Sequence, residues 1–328
     1  MADLSTRYLG LDLPNPVIVG SSGLTNSVEK VLKCAEAGAG GVVLKSIFEE
    51  QILQEVDELA DVAEISYWHA EAADYIHQYG RENAVGEYVK LIKAAKAAVD
   101  IPIIASVHCV SAGAWTEFAM RAEQVGADAS ELNVHVFPSD PRRSARDNEE
   151  VYLRVAEAVK RKVSIPVALK IGFYFSDIPE MAAKLAAVGV DGLVFFNRFY
   201  RIDFDIEGME MVAASYLSSP DEITIPLRWI SLLSGELDCD FAATTGVHDG
   251  PGAVKMLLAG AKAVQICSIL YRQGVGHIGT ILGGVTDWME RHGFSSIDEF
   301  RGKLCQELSE NPAAYERVQF MKLSAGEE

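Results

Sequence analysis

Positive charge is scarce in this chain. Lys and Arg number 29 against 47 Asp and Glu in 328 residues, a formal charge of −18 with His neutral. A nucleic-acid surface needs clustered Lys and Arg to neutralise phosphates. The one short cluster, Arg142, Arg143 and Arg146, reads as a solvated loop, so no nucleic-acid partner is expected. Cysteine is sparse too. Cys34, Cys109, Cys239, Cys267 and Cys305 are odd in number and widely spread, with no Cys-x-x-Cys. A cysteine-ligated zinc or iron–sulfur site is therefore not expected, nor any other metal. Such usage fits a reducing cytoplasm. No apolar run reaches the roughly 18 residues of a membrane span. The opening Met1–Arg7 lacks an apolar signal core. Proline, at 11, is outnumbered by 27 Gly, which favours many short connections over low complexity.

What the chain does have is a large apolar fraction, 49%, which excludes disorder. It also has a recurring phrase. Glu36-Ala-Gly-Ala-Gly-Gly-Val-Val-Leu-Lys45 is followed by Gln124-Val-Gly-Ala-Asp-Ala-Ser-Glu-Leu-Asn133, by Ala187-Val-Gly-Val-Asp-Gly-Leu-Val-Phe-Phe-Asn197 and by Leu258-Ala-Gly-Ala-Lys-Ala-Val-Gln-Ile266. Each copy ends a helical pattern at Gly and enters a short apolar run without alternation. Such runs suit parallel strands buried on both faces. Asp100-Ile-Pro-Ile-Ile-Ala-Ser106 and Ser164-Ile-Pro-Val-Ala-Leu-Lys170 place Pro at strand entries, where its missing N–H is tolerated. With Val17–Ser21 and Phe241–Gly246 these give eight strands, starting near residues 17, 42, 102, 130, 166, 193, 241 and 264.

The segments between are amphipathic. Trp115, Phe118, Ala119, Ala122 and Val125 share one face, as do Ile178, Met181, Ala182, Leu185 and Val188. Eight βα units predict an α/β fold, a (β/α)8 TIM barrel, as one domain over residues 1–328. An open doubly wound sheet would want an early Gly-x-Gly-x-x-Gly, which Gly20-Ser-Ser-Gly23 does not supply. Extended loops are expected after strand two, about Ile47–Arg81, and after strand six, about Arg198–Thr224. The end from about Ile281 reads as helical closure.

Barrel chemistry sits at the C-terminal tips of strands. Here the tips are Ser21-Ser22-Gly23, Lys45-Ser46, Ser106, Asn133, Lys170, Asn197, Thr245-Gly246 and Cys267-Ser268. A lysine ending a buried run needs an anionic partner, from the protein or from a ligand. The last two tips point to phosphate. Thr245-Gly-Val-His-Asp-Gly-Pro-Gly252 leads into a helix, and backbone N–H groups there can bind phosphate oxygens.

In this order the tips resemble the dihydroorotate dehydrogenase family, which includes the flavin domain of dihydropyrimidine dehydrogenase. The resemblance runs from Leu9-Gly-Leu-Asp-Leu-Pro-Asn-Pro-Val17 to Gly293-Phe-Ser-Ser-Ile-Asp-Glu-Phe-Arg-Gly302. It implies FMN as cofactor. Ser21, Ser22 and Gly23 would lie along the flavin. Lys45, of the Lys45-Ser46 pair, would sit near its N1–O2 edge, where a cation tunes its potential. Asn133 and Lys170 would contact flavin and ribityl, and Asn197 would serve flavin and substrate. Thr245, Gly246, Val247, Cys267 and Ser268 would cradle the phosphate.

The substrate side departs from the family. Where the family carries Asn-x-Ser-Cys-Pro-Asn, this chain reads Asn133-Val-His-Val-Phe-Pro-Ser-Asp140, and Val136 or Phe137 falls at the base position. Ile65-Ser-Tyr-Trp-His-Ala-Glu71 replaces the family's substrate loop, and Arg198 follows Asn197. His135 is the nearest replacement base, since an imidazole titrates near neutrality. Ser139 is a weaker one. His69, Glu71 and Arg198 are further candidates for substrate contact, with Asn133 and Asn197.

The leading expectation is an FMN-dependent CH–CH dehydrogenase of a small pyrimidine-like substrate. A soluble electron acceptor or partner subunit and a homodimer are expected with it. Two alternatives stay open: a Schiff-base lyase or aldolase using Lys45 or Lys170, and a flavin-binding barrel that has lost its base.

Overall fold

The computed structural model describes residues 2–48, 85–108, 112–198, 202–213, 216–313 and 315–316. Eight parallel strands close on themselves. They are β1 (Val17–Val19), β2 (Gly41–Val43), β3 (Ile103–His108), β4 (Ala129–Asn133), β5 (Val167–Ile171), β6 (Gly192–Phe195), β7 (Asp240–Thr244) and β8 (Ala263–Ile266). Each pairs with the next, and β8 returns to β1 through Val264↔Val17 and Ile266↔Val19. Helices surround the barrel, so this is a (β/α)8 TIM barrel. Every strand begins within one residue of its expected start.

The repeated phrase has a physical origin. Gly38, Gly126, Gly189 and Gly260 each leave a helix at φ of +94°, +91°, +91° and +110°. Only Gly adopts that backbone without steric cost, and it lets the chain reverse directly into a strand. The Asp that follows Gly126 and Gly189 by two residues has a second task. Asp128 accepts from the Ile103 amide at 2.7 Å and Asp191 from the Val167 amide at 2.7 Å. Each also binds a helix lysine, Lys96 or Lys160. The two phrases that carry Asp therefore fasten the preceding strand's entry.

Strand alternation then builds the lumen in layers. A hairpin, Thr6–Tyr8 with Leu11–Leu13, plugs the bottom with Tyr8, Leu9 and Leu13. Above it every strand gives one apolar residue: Ile18, Val43, Ile104, Ala129, Ala168, Val194, Ala242 and Ala263. Two residues further along, six of the eight strands turn polar. Lys45, Ser106, Glu131, Lys170, Thr244 and Gln265 stand there, and Ser106, Glu131 and Gln265 are buried. His108 and Asn133 stand one step higher on β3 and β4.

The helix Ala112–Gln124 buries Trp115, Phe118, Ala119 and Ala122, and Ile178–Val188 buries Ile178, Met181, Ala182 and Leu185. After β2, a short strand Ile47–Phe48 pairs with Val107–His108. The rest of the expected second-loop extension lies outside the described residues. After β6 the extension contains a hairpin, Ile202–Asp205 with Glu210–Ala213, then a short 3-10 helix Pro220–Ile223. Of the expected helical closure, the helix His277–His292 is described; it ends at Gly293 with φ +74°, and turns, the 3-10 turn Ile297–Glu299 and helical residues at 313 and 315–316 follow. The rest, 317–328, lies outside the described residues. Gly293 in the left-handed region stops the helix. Among the described residues no helix is long and apolar enough to cross a membrane.

Candidate active site

The tips of β1, β2 and β3 form a chain of hydroxyls. Ser46 Oγ lies 3.0 Å from Ser21 Oγ and 2.7 Å from Ser106 Oγ, and the Ser46 amide donates to Ser21 Oγ at 2.8 Å. Tyr88 Oη closes it from outside, donating to the Ser106 carbonyl at 2.9 Å and accepting from its amide at 2.8 Å. The result is a fixed polar floor beside Lys45. The Lys45 side chain is half-buried and has no carboxylate within ion-pair distance among the described residues. A partly desolvated cation without a counter-charge favours an anionic ligand edge.

On the other side, Lys170 donates to Gln265 Oε1 at 3.2 Å and lies 3.8 Å from Glu131 Oε1. Gln265 in turn donates to Glu131 Oε2 at 2.5 Å. At the rim, Asn197 Nδ2 donates to Asn133 Oδ1 at 2.7 Å. Arg198 does not stand open to an anion, since its Nε donates to Glu222 Oε2 at 2.9 Å.

The β7–β8 rim has the features of a phosphate cradle. Gly246 and Val247 are buried, and their amides have no acceptor among the described residues. Buried amides are almost always paired, so an unpaired adjacent couple calls for an external acceptor. Gly246 has φ +84°, and a Cβ there would fall against Ile223 N and 2.6 Å from Ile223 Cα. Thr245 precedes it at φ +74°, a conformation that suits Gly better, and its hydroxyl donates to the Phe196 carbonyl at 3.1 Å. The helix Gly250–Leu258 itself offers less than its sequence suggested. Asp249 caps it and accepts from the Gly252 amide at 2.8 Å. A carboxylate already occupies that terminus, which leaves the anion to the loop amides. Ser268 Oγ accepts from the Ser218 amide at 2.9 Å, and Ser218 Oγ lies 3.0 Å from His248 Nε2. Burial first, then the positive charge of Arg272, holds His248 below the ordinary imidazole range. Burial pushes the Cys267 thiol up, so it stays protonated.

Over the mouth stand two imidazoles. His108 Nδ1 lies 2.6 Å from the Asn133 carbonyl, which can only accept, so Nδ1 carries the proton. The His108 ring is 6.5 Å from that of His135, edge to face. Burial first, then His108's charge, lowers the pKa of His135 below the usual value. Val136 is half-buried, its amide bound by Tyr152 Oη at 3.0 Å, and Phe137 is exposed. Neither supplies a base. His69 and Glu71 lie outside the described residues. The strand-tip reading passed over His108 because it placed the β3 tip at Ser106; counting two residues on would have found it. Glu131 and Gln265 look like ordinary strand residues in sequence and gain meaning only when β4, β5 and β8 face one lumen.

A parallel barrel whose buried β7–β8 rim amides lack an acceptor among the described residues, with lysines on the tips of β2 and β5, has the features of barrels that hold a phosphate-bearing cofactor. The particular family follows from comparison. The profile described as dihydroorotate dehydrogenase matches residues 3–289, and the chain belongs to that family of FMN-dependent oxidoreductases. It is 30% identical over 310 residues to the catalytic subunit of dihydroorotate dehydrogenase B (NAD(+)) of Pyrococcus abyssi, covering 91% of this chain and 98% of that one. The same subunit of Thermoplasma volcanium is 29% identical over 315 residues, with 92% and 98% covered. The chloroplastic dihydropyrimidine dehydrogenase (NADP(+)) of Arabidopsis thaliana is 26% identical over 333 residues, with 93% and 77% covered. FMN fits the residues present. The Gly246 and Val247 amides suit its phosphate, and Lys45 suits an electron-rich ring edge.

Proposed function

We propose that this protein is an FMN-dependent dehydrogenase of the CH–CH bond in a small, cyclic, pyrimidine-like substrate, and that residues 1–328 work as one barrel domain. The observation that carries this reading is the Asn133–Asn197 pair. With Asn197 Nδ2 donating to Asn133 Oδ1, the pair still has Asn197 Oδ1 to accept and Asn133 Nδ2 to donate. That is the complement of a cyclic amide's N–H and C=O. Bound FMN supplies a hydride acceptor or donor at flavin N5. Lys45 compensates charge at the ring's N1–O2 edge, with Ser21, Ser22, Gly23 and Ser46 alongside. Lys170 reaches the ribityl side, and Thr245, Gly246, Val247, Cys267 and Ser268 surround the phosphate. His135 holds or releases the proton of the neighbouring carbon.

Arg198 refines the substrate. Its guanidinium is already bonded to Glu222 at 2.9 Å, so a substrate carboxylate would have to displace a partner of its own kind. An uncharged ring avoids that competition. Anaerobic mixing with dihydrouracil is therefore expected to bleach the flavin at least tenfold faster than mixing with dihydroorotate. Faster bleaching by dihydroorotate would overturn this preference. Bleaching by neither would overturn the pyrimidine-like substrate.

Electrons pass to a soluble acceptor or partner subunit, in a cytoplasmic setting, and the working unit is a homodimer. The hairpin after β6 supports the last of these. Its pairing puts Ile202, Phe204 and Met211 on one face and Asp203, Asp205, Glu210 and Val212 on the other. Phe204 and Met211 are 66% and 68% exposed, and Ile206 and Met209 at the tip are exposed too. A lone two-stranded ribbon is marginal in water, and an exposed run of large apolar side chains on it supports an interface. Phe204→Asp with Met211→Asp is expected to convert a dimer to a monomer at micromolar concentration in sedimentation velocity. A variant that stays dimeric would overturn the assignment.

A further inference from the structure

Glu131 is a charged residue with no role so far. It is 1% exposed, deep in the lumen, and its Oε1 has no hydrogen-bond partner among the described residues. The layer directly below it is wholly apolar, as barrel interiors usually are. Buried ion pairs are poor stabilisers, and apolar residues of like volume do as well. Stability therefore does not account for a carboxylate here.

Geometry offers another account. Gln265 bridges two groups: its amide nitrogen donates to Glu131 Oε2 at 2.5 Å and its amide oxygen accepts from Lys170 Nζ at 3.2 Å. This fixes the Gln265 amide orientation and, through it, the Lys170 ammonium. Glu131 Oε1 itself lies 3.8 Å from Lys170 Nζ. The network spans the lumen from β8 to β4 and β5, at the level of Lys45 and Ser106.

We propose that Glu131 is a positioning residue that, through Gln265, holds the Lys170 ammonium at the cofactor site and offsets its charge, so setting the site's preference between oxidised and reduced flavin. The proposal rests on FMN being seated at these tips. Lys45, which has no carboxylate beside it among the described residues, then supplies the uncompensated positive charge, and Lys170 supplies oriented N–H groups with little net field. Reduction adds negative charge to the flavin. Loss of the Glu131 charge favours the reduced form, and loss of the Lys170 charge favours the oxidised form.

Spectroelectrochemical titration of the purified holoprotein tests this without any substrate. Glu131→Gln keeps shape and volume. It is expected to raise the ratio of reduced to oxidised flavin at a given potential by at least tenfold, about 30 mV for a two-electron couple. Lys170→Met is expected to move the potential in the opposite direction, and it stands as the test should Glu131→Gln fail to fold. A merely structural pair would leave the potential of folded, flavin-bound variants where it was. Either folded variant with an unchanged potential, or two shifts of the same sign, overturns the proposal. Wild-type protein that takes up no FMN overturns the cofactor placement instead, so the two failures are separable.

Discussion

Gly246→Val protein is expected to purify colourless, with FMN affinity reduced at least a hundredfold, while its far-ultraviolet circular dichroism stays that of a barrel. Two effects combine. Gly246 holds φ +84°, which costs a β-branched residue on the order of 1–3 kcal/mol. A Cβ would also press on the Ile223 backbone, 2.6 Å from its Cα and 2.8 Å from the Glu222 carbonyl carbon. Those are main-chain atoms, so no rotamer change relieves them. Either the β7 loop or the segment Pro220–Ile223 must move, and the Gly246 and Val247 amides lose their present aim. Phosphate recognition by amides depends on that aim. Flavin absorbance of the purified protein, before and after incubation with FMN, checks it. A Gly246→Val protein as yellow as wild type would show that the phosphate lies elsewhere.

The same glycine shows how much the sequence discloses. The barrel was legible because its signals are local and repeated. Gly38, Gly126, Gly189 and Gly260 sit at four equivalent helix ends, and unbroken apolar runs follow each. The tips were legible by counting along strands. What escaped depends on which strands face each other. The Gln265 bridge between Glu131 and Lys170 joins residues 134 and 95 positions apart, and no spacing rule reaches that far. The pairing of Arg198 with Glu222 escaped for a similar reason. The 3-10 turn Pro220–Ile223 brings the carboxylate back to the rim, and its Glu222 also accepts from the Ser219 amide. A sequence shows Arg198 as a free cation, whereas the fold shows it engaged. Asp249 narrows the phosphate expectation, because its carboxylate caps the helix start and accepts from the Gly252 amide.

His135→Asn is expected to lower the rate of flavin reduction by substrate about a hundredfold or more, with FMN content unchanged. The magnitude follows from general base catalysis, which contributes roughly 10²- to 10⁴-fold. The choice of residue follows from the segment after β4. Val136 and Phe137 carry no basic atom, and the described residues put two imidazoles there, His108 and His135, 6.5 Å apart. The pH dependence gives the claim its sign. A base works only when neutral. Burial and then the positive charge of His108 lower the pKa of His135 from 6.5. Its neutral form therefore persists below the pH at which an ordinary imidazole protonates. The rate is expected to hold through pH 6.5 and to fall only in more acid solution. His108→Asn removes the like charge while leaving an N–H for the Asn133 carbonyl. It should move that acid limb back toward higher pH. Stopped-flow reduction across pH, on wild type and both variants, reads all of this at once. Unchanged rates in His135→Asn would remove it as the base. An acid limb in His108→Asn lying where the wild type's does would show that the charge of His108 does not act on His135.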